Sequence, residues 1–307
     1  MKHALQLCSL ALNPSAPSPT ASMVKIENGH MTAFGGLFCI SVPQPVEVGA
    51  CFSPSLAATF FRKERKAVAY TIDKGKLTMK EGKEKLSIPC LPPEDLVTLD
   101  VLEDPFQAEL DLTHFRSLVD VINPANSRVW AQGISFRYGM MEATNDSVII
   151  SAVSGLPDEV EFNLPVDSAK ALMKFKSTIT AISVSERAVK FSFKDGSSLT
   201  SLVILEQLID TSKFYEGPWT PLNLKDTEDL LKIECDSVGF QNGNAAYVQE
   251  KAKGVIEGIS APGITVVVGK ESLDRLLRIS SDIRISEDGH RLMAVADTCR
   301  GICSTRR

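Results

Sequence analysis

The side chains in this sequence whose type and spacing point most clearly to chemistry are cations, and they recur. Arg62, Lys63, Glu64, Arg65 and Lys66 together carry +3; Asp167, Lys170, Lys174 and Lys176 carry +2; Lys270, Glu271, Asp274, Arg275 and Arg278 carry +1. The three stretches hold +6 in a chain with 33 basic and 38 acidic residues and net charge −5, which leaves −11 for the remainder. A solvated helix face is the ordinary meaning of one such run. Three cationic stretches at equivalent places in an acidic chain point instead to a functional face. The overall negative charge excludes a protein that grips nucleic acid over its whole surface, but not one with a local basic face.

Other chemistries find little support. His3, His30, His114 and His290 form no HxH or HExxH pattern, so no metal catalysis is expected. The seven cysteines (Cys8, Cys39, Cys51, Cys90, Cys235, Cys299 and Cys303) are odd in number and contain no CxxC pair, as expected of reduced thiols packed as small hydrophobes. Residues 263–272, GITVVVGKES, imitate a phosphate loop, but five residues separate the first Gly from the Gly-Lys, and no Ser or Thr follows Lys270 directly. Asp288-Gly289-His290-Arg291 reads as a hairpin turn. No G-x-S-x-G elbow occurs. The expectation is a protein that is not an enzyme and uses no cofactor and no metal.

The elements that must position the cations emerge from internal repeats. Residues 13–36 slide onto residues 123–146 without a gap: Gly29 falls on Gly139, Met31 on Met141, Ala33 on Ala143, and Val24 and Ile26 on Ile134 and Phe136. The N-terminal stretch with Lys2 and an apolar run imitates a secretion signal, but its continuation recurs downstream, so it is read as structural. A second unit occurs three times, beginning at Val46, Val160 and Ile264 and aligned on Ser55, Ser168 and Ser272. Each copy predicts a strand, a polar residue at a helix start, an amphipathic helix of about 10–12 residues, and strands reversed at Asp73-Lys74-Gly75, Asp195-Gly196 or Asp288-Gly289. First-half helices are expected over 5–12 and 112–122. Between Tyr215 and Leu230 there is no room for one, so the first helix of the third domain is expected to be reduced or lost. Residues 91–105 and 216–221, both containing prolines, set the boundaries: domains at 1–105, 106–215 and 216–307. With 307 residues, each can bury a core. No run of 18 apolar residues occurs.

Three consecutive copies of a double strand–helix–three-strand unit in an acidic chain resemble the bacterial beta clamp family of DNA polymerase sliding clamps. The best stretches are ISFRYGMMEATNDSVIISAVS from Ile134, VEFNLPVDSAKALMKF from Val160, VKFSFKDGSSLTSLVIL from Val189 and LIDTSKFY from Leu208. The resemblance covers most of the chain and rests on the ordered repeat. It implies an α+β fold of three tandem clamp domains, with antiparallel sheets outside and helices lining a ring.

The resemblance further implies a DNA sliding clamp that encircles duplex DNA without sequence preference and tethers a replicative polymerase, with no turnover of its own. Duplex contact is expected at Arg62, Lys63, Arg65, Lys66, Lys170, Lys174, Arg275 and Arg278, with Leu172, Met173, Leu276 and Leu277 packing on the sheets. Polymerase, and a clamp loader if one is needed, would dock short peptide motifs into a pocket at Thr144, Val148, Ile149, Pro221 and Leu222, completed by a C-terminal tail that is polar here. Ring closure is expected as a head-to-tail homodimer, with a trimer as runner-up. The pairing edges would be residues 77–80 with 86–88 in domain one, and 238–242 or 292–296 in domain three. The expected location is the cytoplasm, bacterial or of an infected host, with a lean toward a bacteriophage source and no membrane association. Two other readings stay open: an α+β enzyme on a repeated scaffold, and a non-enzymatic structural ring.

Overall fold

The computed structural model describes residues 1–63, 65, 67–100, 105–206, 211–224, 237–241, 244–248, 253–256, 259–260 and 266–305. Lys66, Arg306, Arg307 and residues 225–236 (with Cys235 among them) lie outside the described residues, and with them the end of the stretch between Tyr215 and Leu230 where the third domain's first helix is expected to be reduced or lost.

The first third of the chain runs α1 (Lys2–Cys8), β1 (Val24–Glu27), β2 (His30–Phe34), β3 (Phe38–Pro43), β4 (Ala50–Phe52), α2 (Pro54–Phe60), β5 (Ala69–Asp73), β6 (Lys76–Glu81) and β7 (Glu84–Leu91). Next come β8 (Phe106–Gln107), α3 (Phe115–Val121), β9 (Gly133–Arg137), β10 (Met140–Thr144), β11 (Val148–Val153), β12 (Phe162–Pro165), α4 (Val166–Leu172), β13 (Ile179–Val184), β14 (Ala188–Phe193), β15 (Ser198–Leu202) and α5 (Ser212–Tyr215). The last third holds β16 (Trp219–Leu224), β17 (Ser237–Gln241), β18 (Asn244–Val248), β19 (Lys253–Ile256), β20 (Ile259–Ser260), β21 (Val266–Gly269), α6 (Lys270–Leu277), β22 (Ile283–Ser286), β23 (Arg291–Val295) and β24 (Cys299–Ser304).

The repeat found in the sequence is a repeat of structure. Asn28-Gly29 and Tyr138-Gly139 both have positive φ and close the equivalent two-residue hairpins β1–β2 and β9–β10, the turn whose twist matches the flanking strands. The superposed apolar positions Val24/Ile134, Ile26/Phe136, Met31/Met141 and Ala33/Ala143 are all buried.

The chain forms two compact units, one of residues 1–109 and 167–205, the other of 110–166 and 206–307. The first unit holds an eleven-stranded sheet, β5-β6-β7-β4-β1-β2-β3-β15-β14-β13-β8. The second holds a nine-stranded sheet, β12-β9-β10-β11-β24-β23-β22-β16-β20, and a four-stranded one, β19-β18-β17-β21. Within each repeat pair the opening strand of one half flanks the three-stranded meander of the other: β4 beside β1, β8 beside β13, β12 beside β9, β16 beside β22, β21 beside β17. Two junctions then join successive repeats, β3 with β15 and β11 with β24.

This register corrects the expected edges. Residues 77–80 lie in β6, which is paired on both sides by β5 and β7. Residues 238–241 lie in β17, between β18 and β21, and 292–295 lie in β23, between β22 and β24. Among the described residues the third repeat has three strands at sheet ends, β19, β20 and β21, which pair β18, β16 and β17 alone; β19 is the one that ends a three-stranded meander. The expectation for 86–88 stands better: β7 pairs β6 along its length and meets β4 only at Cys90 and Leu91.

One buried row crosses most of the first sheet: Ile182, Phe191, Leu199, Ile40, Ala33, Val24 and Phe52, each opposite the next. At roughly 1.5–3 kcal/mol per large buried side chain, such rows hold helices too short to persist alone. The helices that follow β4, β12 and β21 span seven, seven and eight residues, shorter than expected. They begin at Pro54, Val166 and Lys270, so Ser55, Ser168 and Ser272 lie inside the first turn rather than capping it. Ser168 is fully buried, its hydroxyl accepting a hydrogen bond from Ser201 Oγ at 2.7 Å. In the second unit α6 lies close upon β24: a Cβ at Gly301 would come within 2.4 Å of Ile279 Cδ1 and 2.9 Å of Leu276 Cδ2.

Candidate docking pocket and cationic surfaces

Alternation along β10, β11 and β24 sorts their side chains onto two faces. Ala143, Ile150, Gly301, Ala294, Ile283 and Leu222 stand opposite one another on the face that carries α6. The other face carries the row Thr144, Ile149, Ile302 and Met293. Over that row lies a cavity of about 210 Å³. Ile149 and Ile302 form its apolar floor, Trp130 and Arg128 one wall, and Phe214 of α5 with Arg291 the other.

The walls are fixed by hydrogen bonds. Thr144 Oγ1 donates to the Val148 carbonyl at 2.8 Å, and Asn145 Oδ1 accepts from the backbone N–H groups of Ser147 and Val148. Asp146, held at φ +73, receives Arg128 Nη1 and Asn126 Nδ2, both at 2.9 Å. On the far wall Arg291 Nη1 donates to the Phe214 carbonyl at 2.8 Å, and its guanidinium stacks 5.3 Å from the Trp219 ring centre. A pre-formed apolar floor with aromatic and arginine walls suits a large apolar side chain presented by an extended peptide.

Of the five residues assigned to this pocket from sequence, Thr144 and Ile149 line it. Val148 and Leu222 are buried on the α6 face, and Pro221 is exposed on the outer face but separated from Ile302 by Arg284 and Met293. Cys303 and Ser304 of the tail contribute to the lining. Sequence reasoning missed Arg128, Trp130, Phe214, Arg291 and Ile302. Only Ile302 left a signal, the alternation through 299–304; Arg291 opens β23, and Arg128, Trp130 and Phe214 depend on segments that fold back over the sheet.

The cations are not equivalent. Arg62 and Lys63 are exposed in the turn after α2 rather than on the helix. Arg65 is bound within the first unit: its Nε donates to the Phe60 carbonyl at 2.5 Å, Nη1 to Glu81 at 3.0 Å and Nη2 to Glu84, with its guanidinium 3.8 Å from the Phe60 ring centre. The arginine holds the Glu84 carboxyl below its ordinary range. Lys170 is exposed beside Asp167 at 3.5 Å. Lys174 is exposed in the turn after α4, and with Lys170 it flanks a cleft of about 390 Å³ floored by Leu12, Asn13 and Gly35. A second groove, between α1 and α2, is flanked by Lys2 and Arg62. In the second unit Arg275 pairs with Glu271 at 2.5 Å, while Arg278 is exposed at the end of α6 with no ion pair among the described residues. Leu172 and Leu276 are buried as expected; Leu277 is half-buried, and Met173 is exposed because α4 ends before it.

No protein-family model and no curated protein sequence matches the chain. Solved structures do. The DNA polymerase sliding clamp of Bacillus subtilis superposes with a TM-score of 0.83 at 13% identity, over 100% of this chain and 96% of that one. The Helicobacter pylori beta clamp bound to a DNA ligase peptide gives 0.82 at 11% identity, over 100% and 97%. The beta subunit of the Streptococcus pyogenes DNA polymerase gives 0.82 at 14%, again over 100% and 97%. Over its full length the chain has the fold of the bacterial DNA polymerase sliding clamps.

Proposed function

We propose that the protein is a DNA sliding clamp: a non-enzymatic ring that encircles duplex DNA and tethers a replicative polymerase. The observation that carries this reading is the full-length match to sliding clamps, one of them bound to a DNA ligase peptide. The apolar pocket over Ile149 and Ile302 supports docking of a polymerase through a short motif, and a clamp loader would use the same kind of contact.

The repeat supports three domains at 1–105, 106–215 and 216–307. It also suggests how the ring closes. At each internal junction the last strand of a repeat's first half pairs with the last strand of the following repeat's second half: β3 with β15, β11 with β24. Continued into a second copy, the rule pairs β19 with the open length of β7, which covers both unpaired stretches. Three repeats per chain make this a head-to-tail homodimer. Light scattering is expected to give two copies at micromolar concentration; a monomer rejects closure, and a trimer replaces the dimer.

Arg62, Lys63, Lys170, Lys174, Arg275 and Arg278 are the proposed phosphate contacts, with Lys66 as an expectation from sequence. Arg65 serves mainly to tie residues after α2 to the β6–β7 turn. Long flexible cations exchange phosphates without a fixed register and read no bases. Such a protein works in the cytoplasm of a bacterium or of an infected cell. The experiment is to convert Lys63, Lys174 and Arg278 together to Glu in a variant that keeps its oligomeric state. Loss of processive synthesis on a primed circular template is expected; wild-type product lengths across a range of salt concentrations remove these residues from the DNA face.

A further inference from the structure

Beside the docking pocket lies a second cavity of about 350 Å³, also in the second unit, and Thr211 lines both. Its floor is the next row on the outer face of the same strands: Glu142 opposite Ser151, and Ser151 opposite Arg300. That row stands one same-face step from Thr144, Ile149 and Ile302, a distance of about 6.6 Å along a strand. An extended peptide repeats its own same-side positions with that spacing.

The cavity holds more donors than acceptors. The Arg137 guanidinium carbon lies 4.8 Å from the Tyr138 ring centre and that of Arg300 5.0 Å from the Tyr215 ring centre. Neither guanidinium has a carboxylate partner among the described residues. Glu142 is already engaged, accepting the Thr211 hydroxyl. The buried Tyr215 hydroxyl has no hydrogen-bond partner. A guest must therefore bring acceptors, and two arginines present donor edges that match a carboxylate. Glu142 and Glu216, which also line the cavity, limit the guest's charge and disfavour a phosphate dianion or a nucleic-acid backbone. Tyr138 is largely exposed at the rim, and the Arg and Tyr content is that of an interface hot spot.

We propose that this cavity receives an acidic side chain of the same peptide whose apolar anchor fills the pocket over Ile149 and Ile302, the acid lying about two residues from the anchor. The inference rests on the docking reading above. It adds a specificity element: partners with an Asp or Glu at that position are preferred over partners with a neutral residue.

The test uses fluorescein-labelled nine-residue peptides bearing a Leu-Leu anchor, with Asp, Ser or Lys scanned one to four residues to either side, titrated against the full-length protein. An Asp two residues from the anchor is expected to tighten binding about ten-fold over Ser, the equivalent of about 1.4 kcal/mol. The R137A/R300A variant should bind both peptides equally, at the Ser level, and R300E should prefer the Lys peptide. Equal binding of the Asp and Ser peptides to the wild-type protein, lost for both in Ile149→Asp, overturns this inference and leaves the docking reading intact. Failure of every peptide to bind rejects both. An Asp preference that survives in R137A/R300A places the acid elsewhere.

Discussion

The junctions β3–β15 and β11–β24 are built alike, yet their outer faces differ. In the first unit the outer row is Phe34, Cys39, Thr200 and Lys190, the register equivalents of Thr144, Ile149, Ile302 and Met293 in the second. The segment leaving the first repeat crosses that row. Leu99 hydrogen-bonds through its backbone to the Cys39 thiol, and Asp100 pairs with Lys190 at 2.7 Å. In the second unit the corresponding segment turns into α5 and lies over the neighbouring row, with Thr211 bonded to Glu142. The row of Ile149 and Ile302 stays open as a pocket floor. What separates a sealed junction from an open pocket is thus the path of the connecting segment, not the sheet.

That contrast is most sharply tested by placing one charge at equivalent positions. Ile149→Asp should weaken binding of any apolar-anchored peptide by more than 30-fold in polarisation titrations while leaving the melting transition nearly unchanged. Cys39→Asp, in the sealed junction, should do the reverse. A carboxylate buried there, with Lys190 already paired to Asp100, costs about 2–4 kcal/mol of stability by denaturant titration, and peptide affinity should hold. If both variants lose binding equally, the two junctions are not functionally distinct.

Packing on the other side of the second junction gives the next effect. Gly301→Val drives a side chain into Ile279 and Leu276 and should cost about 1–3 kcal/mol, with peptide binding reduced only in proportion to unfolding. The smallest effect is at the cover of the first junction. Burial raises the Cys39 thiol to about 11, so it is protonated at pH 8 and reacts slowly with a thiol reagent. Asp100→Asn loosens a partly exposed ion pair worth about 1 kcal/mol or less. It should speed Cys39 modification several-fold without a measurable change in melting, and the rate should rise with pH as thiolate forms.

The modules were legible in the sequence because their signals are local. Positive-φ turns at Asn28-Gly29 and Tyr138-Gly139 and the alternation of Val24, Ile26, Met31 and Ala33 need only neighbouring residues. Helix lengths were not, since α1, α2, α3, α5 and α6 have no side-chain cap bond and their ends are set by packing. Edge assignments missed because β19 gives a weak strand signal, while β6, β17 and β23 read as strands without revealing their second partners. Thr144 and Ile149 came from the resemblance to the clamp family, which marks the positions after the Glu-Ala-Thr strand. Leu222 was not separable from Pro221, because a shift of one residue in register exchanges the two faces. Arg65 carried the same charge signal as Arg62, and only the fold brings Glu81 and Glu84 to it.

On the proposed function the protein stays on DNA because it surrounds it. The direct measurement is retention on nicked circular plasmid, loaded with the clamp loader of its own replication system, before and after linearisation. The protein should co-elute with the circle in gel filtration at high salt and be lost within minutes of a single double-strand cut. Equal loss from both forms, or retention on the linear form, contradicts the claim.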